Sequence, residues 1–441
     1  MRQQYRLESI TLRDVGVFEH TRFDFPQIKN EEKDAEKAEI HIFTGPNGCG
    51  KSTLLYALAA VFEGHFTGQS PIVKRFRSSQ GRINYLFNEE QGSYIGRHFD
   101  EDFVGTDYSV WIGSNHEVIK ERHHSIRNFT SDKMITFPFS VFAYSGYQHS
   151  HVQNKIDISQ DIKLSPFENS LSFFNPVNTE GFLNWVARNR MKSVLSSIND
   201  ASNVALLYDG AITKVRGFLK DICDLDIDFK LQVQSLDIEM LIGDEQVSFE
   251  VLPDGLKSII SWVADLARRL DAIPWQENRD IFSQPIILFL DEVDIHLHPK
   301  WQRRILPAIQ KLLPNAQVFV STHSPFVVGS VEDAFVYRLP DPQRTVCRDP
   351  ASAEVITPTP SAAGKSYQLI LDEVFGIEEQ FDVETEALLE KFYQLKKAYL
   401  SNPQDDSQLV ALAAELSSKG SEVATIVSME LRQITRLVNK G

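Results

Sequence analysis

The amino-acid sequence predicts an α/β fold in which a mixed sheet is flanked by helices. The run at residues 38–44, Ala-Glu-Ile-His-Ile-Phe-Thr, reads as a buried strand, and a glycine-rich loop and a helical pattern follow it directly. A run of apolar β-formers, residues 286–290, ends in two carboxylates, Asp291 and Glu292. A central parallel strand has this character when its carboxyl end faces a ligand. The two runs therefore predict parallel strands that end at a common ligand site.

The loop after the first strand, Gly45-Pro-Asn-Gly-Cys-Gly-Lys51-Ser52, has the phosphate-binding pattern of nucleotide-hydrolysing proteins. Backbone N–H groups of such a loop surround phosphate oxygens, the lysine meets the β- and γ-phosphates, and the serine hydroxyl ligates Mg²⁺. Residues 52–62 place apolar side chains on one helical face, so the phosphates meet a helix N-terminus. The predicted nucleotide-binding residues here are Asn47, Gly48, Cys49, Gly50, Lys51, Ser52 and Thr53.

The carboxylates that end the second strand suit phosphoryl transfer, which needs positioning and charge stabilisation more than covalent chemistry. We expect Asp291 to hold Mg²⁺ through water, and Glu292 to orient and deprotonate the attacking water. An Asp-Glu pair by itself is more often a strand-end turn. The phosphate-binding loop favours the catalytic interpretation here.

With these motifs, most of residues 1–340 resemble the ABC-type ATPases of the RecF, SMC and overcoming-lysogenisation-defect group. Residues 7–18 look like the first strand pair of that group. Leu252-Pro-Asp-Gly255-Leu-Lys-Ser258 resembles its signature motif, with Pro253 where serine is usual. Leu297-His298-Pro299 occupies its D-loop, and His323 in Ser-Thr-His-Ser matches its switch histidine.

The resemblance implies an ABC-type ATPase head with ATP and Mg²⁺ as cofactors. Asp291 would be the Walker B residue, Glu292 the catalytic glutamate, and His323 a catalytic contact to the γ-phosphate. A Q-loop glutamine should bind both nucleotide and Mg²⁺. Gln148 in Tyr-Ser-Gly-Tyr-Gln is the candidate for it, and Gln153 is a rival.

The signature motif implies dimerisation. Asp254, Gly255 and the helix behind them would present N–H groups to the γ-phosphate of a nucleotide on a second subunit. A homodimer or higher oligomer through ATP-sandwiched heads is therefore expected. Pro253 lacks both an N–H group and the usual hydroxyl, which leaves open slow hydrolysis with ATP acting mainly as a conformational ligand.

Length and composition fit one elaborated ATPase domain and a smaller lobe within 441 residues. No apolar run approaches the roughly 18 residues that cross a bilayer, and the N-terminus lacks an apolar signal region. The three cysteines, Cys49, Cys223 and Cys347, are scattered and odd in number. The sequence therefore predicts a cytoplasmic protein without a membrane partner, a disulfide framework or a metal knuckle.

The net charge of −15 argues against a broad nucleic-acid-binding surface, because duplex binding depends on neutralising phosphates. A local basic patch that contacts DNA is still compatible with this net charge. Residues 74–77 and 120–127 are basic and lie after the phosphate-loop helix, where this group often faces DNA or a partner. Such clusters are also common on a solvated face, so both DNA contact and plain solvation are alternatives.

We predict an ATPase head over residues 1–340 with a compact helical and β insert lobe over about 65–222. The helical pattern in 181–219 is broken at 199–203 and lacks the sustained heptads of a coiled coil. Residues 224–249 alternate like strands, with a turn at Gly243. A proline-rich stretch then opens residues 341–381, predicted as linker and short elements.

Residues 382–441 are predicted to be a C-terminal helical region. Asp382 can cap its first helix, in which Leu388, Phe392 and Leu395 share one face. Such apolar stripes pack either on the body of the same chain or against an oligomer or partner. Both alternatives are open from the sequence.

No strand-bound carboxylate set of a Toprim nuclease is recognisable after residue 340. Residues 364–376 instead look similar to a segment of stand-alone bacterial defence ATPases, including the ATPase subunit of Septu-type anti-phage systems, which work with a separately encoded HNH nuclease. The resemblance implies a sensor or regulatory subunit that gates such a nuclease. The alternative is a RecF-like repair ATPase acting directly on DNA, and a transporter ATPase is a third possibility. The acidic composition favours the first.

Overall fold

The structure of the protein, a computed structural model, describes most of the chain. The described residues are 5–27, 37–63, 70–78, 81–88, 90–96, 109–112, 136–146, 165–173, 179–198, 202–232, 237–277, 279–342, 352–402 and 405–438. The chain divides into two compact units, Met1–Ile370 and Leu371–Gly441. The domain boundaries inferred from the sequence stay predictions beside this division.

The first unit contains both strands and helices. Its described strands are β1 (Leu7–Val15), β2 (Phe18–Asp24), β3 (Glu39–Thr44), β4 (Arg82–Phe87), β5 (Glu90–Gly96), β6 (Ser109–Ile112), β7 (Ser140–Ser145), β8 (Ile227–Gln232), β9 (Asp237–Ile242), β10 (Glu245–Gln246), β11 (Ile286–Asp291), β12 (Ala316–Ser321), β13 (Ala334–Arg338), β14 (Glu354–Ile356) and β15 (Thr359–Pro360). Its described helices are α1 (Lys51–Ala60), α2 (Thr179–Ile198), α3 (Ser202–Cys223), α4 (Asp254–Ala272), α5 (Pro299–Leu312), α6 (Pro325–Val328) and α7 (Tyr367–Ile370).

A predominantly parallel sheet, here called the core sheet, has the strand order β15-β13-β3-β12-β11-β7. Strand β11 pairs in parallel with both β12 and β7, which confirms the predicted parallel strand inside the sheet. All the residues of β11 are buried. A continuous apolar run forms such a strand because both of its faces are covered.

A second sheet has the order β14-β2-β1-β4-β5-β6 and is antiparallel except where β14 joins β2. The antiparallel pair of β1 and β2 is the strand pair expected near the N-terminus. Ile10 and Phe23 of this sheet share one hydrophobic core with Leu54 of α1 and Phe289 of the core sheet. The predicted α/β class with a mixed sheet is confirmed.

A buried polar group ties the two sheets together. Arg6 Nη2 donates to Glu39 Oε1 at 2.6 Å, and Gln317 Nε2 donates to the same oxygen at 2.9 Å. His41 Nε2 lies 2.7 Å from that carboxylate. The Gln317 amide also exchanges two hydrogen bonds with the backbone of Leu7, both at 2.8 Å. Because buried charges need such partners, the group fixes where β1 crosses the core sheet.

Within the predicted insert, residues 65–222, the structure describes strands β4 to β7, which belong to the two large sheets, and helices α2 and α3, which pack against each other. The chain passes from α2 to α3 between Ile198 and Ser202, where the sequence predicts the break. Strands β8 and β9 pair antiparallel, and Gly243 turns the chain into β10, as predicted. The proline-rich stretch contributes two short strands, β14 and β15, at sheet edges, where a proline such as Pro360 removes no internal hydrogen bond.

In the second unit, the described helices are α8 (Val383–Ser401), α9 (Ser407–Lys419) and α10 (Ser421–Val438). The Asp382 carboxylate accepts from the N–H groups of Glu384 and Thr385, both at 3.1 Å, which confirms the predicted cap. Phe392 and Val427 lie in a hydrophobic core that the three helices share. Their apolar stripes therefore pack against one another.

None of the helices in the described parts of the chain combines the length and the apolar character that crossing a bilayer requires.

Candidate functional site

Three neighbouring strands of the core sheet end at the predicted motifs. Strand β3 leads into the phosphate-binding loop, β11 ends at Asp291, and β12 between them ends at Ser321, just before Thr322 and His323. Since the three strands are parallel, their carboxyl ends lie at the same edge of the sheet. The fold thus brings segments from distant parts of the chain to one place.

The phosphate-binding loop joins β3 to α1, whose first residue is Lys51. Lys51 is only 6% exposed, and its Nζ donates to the carbonyl oxygens of Gly45 at 3.0 Å and Pro46 at 3.1 Å. The first N–H groups of a helix lack partners within it and carry partial positive charge. The loop therefore offers amide donors and one ammonium group together, which suits a polyphosphate.

The remaining residues of the loop differ in exposure. Asn47 and Gly48 are exposed at its tip, whereas Cys49 is buried with its Sγ 3.6 Å from Lys51 Nζ. Burial raises the pKa of the Cys49 thiol. Thr53 is buried in α1 and accepts a hydrogen bond from Arg75 at 3.4 Å. Backbone amides, more than these side chains, form the anion-binding surface.

Asp291 lies at the edge of the sheet beside α1. Its Oδ1 accepts from Ser52 Oγ at 3.1 Å and from Ser321 Oγ at 2.6 Å, and the residue is 4% exposed. Burial raises the pKa of Asp291, although both hydroxyl hydrogen bonds act in the opposite direction. A hard divalent cation stabilises the carboxylate against this effect. The oxygen donors of Ser52 and Asp291 fit Mg²⁺, which prefers one or two carboxylates together with water and phosphate oxygens.

Glu292 follows Asp291 in an unusual backbone conformation. Its φ is +52°, in the left-handed region that non-glycine residues seldom adopt. Its N–H donates to Ser321 Oγ at 2.7 Å, and a Cβ at Gly146 would lie 2.2 Å from its carbonyl oxygen. Only glycine at 146 allows this contact. The backbone on both sides of the predicted catalytic glutamate is thus held in place.

His323 lies in the short loop between β12 and α6 and is exposed. Partial burial, followed by the nearby charge of Lys51, lowers the pKa of His323. This shift favours the neutral imidazole at pH 7, since the ordinary pKa of histidine is about 6.5. A neutral imidazole can donate one hydrogen bond to a phosphate oxygen without adding a charge.

The predicted signature motif begins α4, with Pro253 as its N-cap. The N–H groups of Leu256 and Lys257 donate to the Pro253 carbonyl oxygen, at 2.9 and 3.0 Å. A Cβ at Gly255 would lie 2.5 Å from the His296 carbonyl oxygen. Gly255 therefore lets α4 pack directly on the loop that follows Glu292.

The structure places the root of the predicted Q-loop but not its glutamine. Strand β7 ends at Ser145, and the Gly146 N–H donates to the Asp291 carbonyl oxygen at 2.9 Å. Gln148 and its rival Gln153 lie outside the described residues. The basic stretch 120–127 also lies outside them, whereas Lys74 and Arg75 are exposed in a short turn.

Two site residues were missed in the sequence. Ser321 bridges Asp291 and the Glu292 N–H, and Tyr56 has its hydroxyl 3.5 Å from Asp291 Oδ2. Burial, and then the Asp291 charge, raises the pKa of Tyr56, so its hydroxyl stays protonated and able to donate. Ser321 could have been found from its place two residues before His323. Tyr56 could have been found from its place one helical turn after Ser52, since residues so spaced lie on the same face of a helix.

Replacing Ser321 by alanine is expected to lower ATP turnover about tenfold, since a buried hydrogen bond to a charged group contributes roughly 1.5 kcal/mol or more. The affinity for MgATP should change much less, because the phosphate-binding loop is intact. Steady-state phosphate release measures the first quantity, and calorimetric titration the second. Ser140→Ala is the control, since this buried hydroxyl in β7 has no hydrogen-bond partner among the described residues. Equal turnover in the two variants would contradict the bridging role.

Two protein-family models match the chain. One, described as "AAA domain", matches residues 9–230. The other, whose description also begins "AAA domain" and goes on to a Type IV TA system, matches residues 154–329. The first extends over the phosphate-binding loop, and the second over Asp291, Glu292 and His323.

The sequence is similar to several named proteins. The "Septu protein PtuA" of Bacillus thuringiensis is 26% identical over 325 residues, which cover 69% of this chain and 74% of that protein. The "Retron Vc95 probable ATPase" of Vibrio cholerae serotype O1 biovar El Tor is 22% identical over 390 residues, covering 73% and 72%. Among solved structures, an Smc head bound to the C-winged helix domain of ScpA has a TM-score of 0.43 and 15% identity, covering 76% of this chain and 95% of that chain.

Proposed function

Since the chain belongs to the AAA-domain family whose model matches residues 9–230, we propose that it binds MgATP where β3, β11 and β12 end and hydrolyses the γ-phosphate. It is an ABC-type ATPase related to the "Septu protein PtuA" and to a retron ATPase. One observation carries the proposal. The 3.1 Å hydrogen bond from Ser52 Oγ to Asp291 Oδ1 joins the helix after the phosphate-binding loop to the strand that precedes Glu292.

The proposed mechanism assigns a role to each of these side chains. Lys51 binds the β- and γ-phosphates together with the amides of residues 47–53. Ser52 and Asp291 would hold Mg²⁺, which neutralises phosphate charge when bound. Glu292 orients a water molecule and takes its proton as the water oxygen attacks the γ-phosphorus; ADP leaves with the electrons of the broken P–O bond. His323 donates to a γ-phosphate oxygen, and Gln148 is proposed as the Q-loop ligand, with Gln153 as its rival.

We also propose that two heads close around two nucleotides. The amides of Asp254 and Gly255 begin α4 and would meet the γ-phosphate bound on a second copy. Pro253 caps this helix but has no N–H group, so the contact has fewer donors than a serine at that position would provide. This supports slow hydrolysis, in which ATP acts mainly as a conformational ligand.

For the biological role, we propose a cytoplasmic regulatory subunit in anti-phage defence. The names of the relatives associate this chain with defence systems. In our proposal, the nucleotide state of the heads restrains or releases a separately encoded HNH-type nuclease. The second unit supports a role in assembly, because its helices share a core of their own and still expose apolar side chains such as Val383 and Met429, at 88% and 65%.

Removal of residues 382–441 tests this role. The truncated chain is expected to bind MgATP within about threefold of the full chain, since the site residues all precede residue 330. The full chain should co-elute with the proposed HNH-type nuclease in size-exclusion chromatography with light scattering, and the truncated chain should not. Precipitation or loss of ATP binding would show instead that these helices belong to the core of the head.

The alternative function is a RecF-like repair ATPase that acts directly on DNA. Exposed Lys74 and Arg75 favour it locally, whereas the net charge of −15 opposes it. Titration of duplex DNA into the full chain at two salt concentrations distinguishes the two functions. Tight binding that weakens steeply with salt would support repair, and weak binding would support the regulatory subunit.

A further inference from the structure

The Gln302 side chain connects two loops at the site. Gln302 belongs to the first turn of α5, and its Nε2 donates to the carbonyl oxygens of Asp294 at 3.2 Å and Leu297 at 3.0 Å. Its Oε1 accepts from Ser324 Oγ at 2.8 Å. Carbonyl oxygens only accept hydrogen bonds, so these partners determine the orientation of the amide. Both N–H groups of the Gln302 amide thus donate to one loop, and its oxygen accepts from the other.

The first of these loops is residues 292–298, which begins at the proposed general base. Glu292 and His296 both have left-handed backbones, with φ of +52° and +59°. The loop holds itself by two hydrogen bonds, from Ile295 N to Glu292 O at 3.2 Å and from Leu297 N to Asp294 O at 3.1 Å. Its other side contacts Gly255 at the start of α4. This loop therefore lies between the glutamate and the signature motif.

The second loop is residues 322–324, which carries His323. The Thr322 N–H donates to the Phe43 carbonyl oxygen at 3.1 Å. Ser324 Oγ accepts from the N–H groups of Phe326 and Val327 at the start of α6, at 3.1 and 3.4 Å. The residues on both sides of His323 are thus fixed, and one of them is bonded to Gln302.

The sheet itself joins these loops only at their roots. Parallel pairing of β11 with β12 runs to Leu290 and Val320. Beyond it, Val293 N lies 3.4 Å from Ser321 O, and the Asp294 carboxylate faces Thr322 and His323. Gln302 adds a link from a different element, helix α5. A small displacement of either loop therefore stretches hydrogen bonds to the same amide.

We propose that Gln302 is a positioning residue for the ATPase reaction. It fixes the position of the loop of residues 292–298 relative to the loop of residues 322–324. Glu292 and His323 can then both contact the same γ-phosphate group and its attacking water. Through the contact of His296 with Gly255, the same amide relates the position of His323 to the start of α4. This inference rests on the proposed function and adds to it a residue whose amide bonds to the two loops that carry Glu292 and His323.

The test compares Gln302 with Gln310, a matched control on the same helix. Gln310 Nε2 also faces two backbone carbonyl oxygens, those of Ala38 and Asp333, each at 3.4 Å, but away from the site. We expect Gln302→Leu to lower kcat about tenfold to a hundredfold, because a misplacement of about 1 Å at reacting groups has effects of that size. KM for ATP should change less than about threefold. Gln310→Leu should lower the melting temperature similarly and leave kcat unchanged.

Gln302→Glu provides a second variant with nearly the same shape. An ionised glutamate donates no hydrogen bond to the two carbonyl oxygens, whereas a protonated one donates a single bond. The two facing carbonyl oxygens disfavour the ionised form, so the pKa of this carboxyl group should lie above the ordinary value of about 4.3, and kcat relative to wild type should rise as the pH falls from 8 to 5. If this ratio does not depend on pH and Gln302→Leu retains the kcat of Gln310→Leu, the positioning role is wrong. If the wild-type chain itself releases no phosphate from MgATP, the proposed function fails as well.

Discussion

Replacing Glu292 by glutamine is expected to lower the rate of ATP hydrolysis by about three orders of magnitude. The affinity for MgATP should stay within about threefold of wild type. Glutamine has the same shape as glutamate but takes no proton from water at neutral pH. The backbone of residue 292 is held by Ser321 Oγ and by the close contact with Gly146, so the amide should occupy the place of the carboxylate.

Two measurements check this result for Glu292→Gln. Phosphate release under saturating MgATP gives the rate, and light scattering after chromatography in MgATP gives the oligomeric state. A chain that binds ATP without turning it over should accumulate as the nucleotide-closed dimer. Glu332→Gln is the control, since this exposed residue precedes β13 at the opposite end of the core sheet. Wild-type turnover in Glu292→Gln would place the general base on another residue.

Replacing Lys51 by alanine is expected to weaken ATP binding at least about a hundredfold, with loss of turnover. Two effects combine in this variant. A bound polyphosphate loses the ammonium group within its loop, and the carbonyl oxygens of Gly45 and Pro46 lose their donor. Because hydrogen bonds to charged groups contribute roughly 1.5–3 kcal/mol each, the sum exceeds the effect of removing an exposed lysine.

Titration with a fluorescent ATP analogue measures the affinity of Lys51→Ala, and Lys74→Ala is the matched control because Lys74 is exposed in a turn outside the loop. Lys51→Met keeps the length of the side chain without its charge or donors, so its affinity for ATP should fall as in Lys51→Ala. ATP affinity and turnover equal to wild type in Lys51→Ala would overturn the assignment of the phosphate-binding loop.

The core sheet could be predicted because its strands have a local signature. Strand β11 is a continuous apolar run up to Asp291, and β3 carries Ile40, Ile42 and Phe43 among its polar residues; each strand stands next to a chemically distinctive end. The cap of α8 by Asp382 was equally local, since the carboxylate bonds to N–H groups two and three residues later. Local rules thus give the elements and the motifs at their ends.

The parts that could not be predicted depend on pairings between distant residues. Ser321, Tyr56 and Gln302 are ordinary polar residues in their own segments, and they acquire a role only where the fold brings them to Asp291 or to the loops beside it. The buried partners Glu39 and Gln317 are similar, since a polar residue in a strand gives no sign of which sheet it will contact. The apolar stripes of α8 and α10 indicated that these helices are buried on one face, but not what they pack against. In the structure they pack against each other and against α9.

The left-handed backbone of Glu292 has a consequence for the evolution of this site. A non-glycine residue in that conformation costs about 1–2 kcal/mol relative to its preferred region, and glycine adopts it without that cost. Selection for folding alone would therefore favour glycine at position 292, and a screen for thermostable variants would recover it. In the proposed mechanism, selection for hydrolysis keeps the carboxylate instead. The chain then gives up stability for activity at this position, and a homologue with glycine there is expected to keep the fold without hydrolysis.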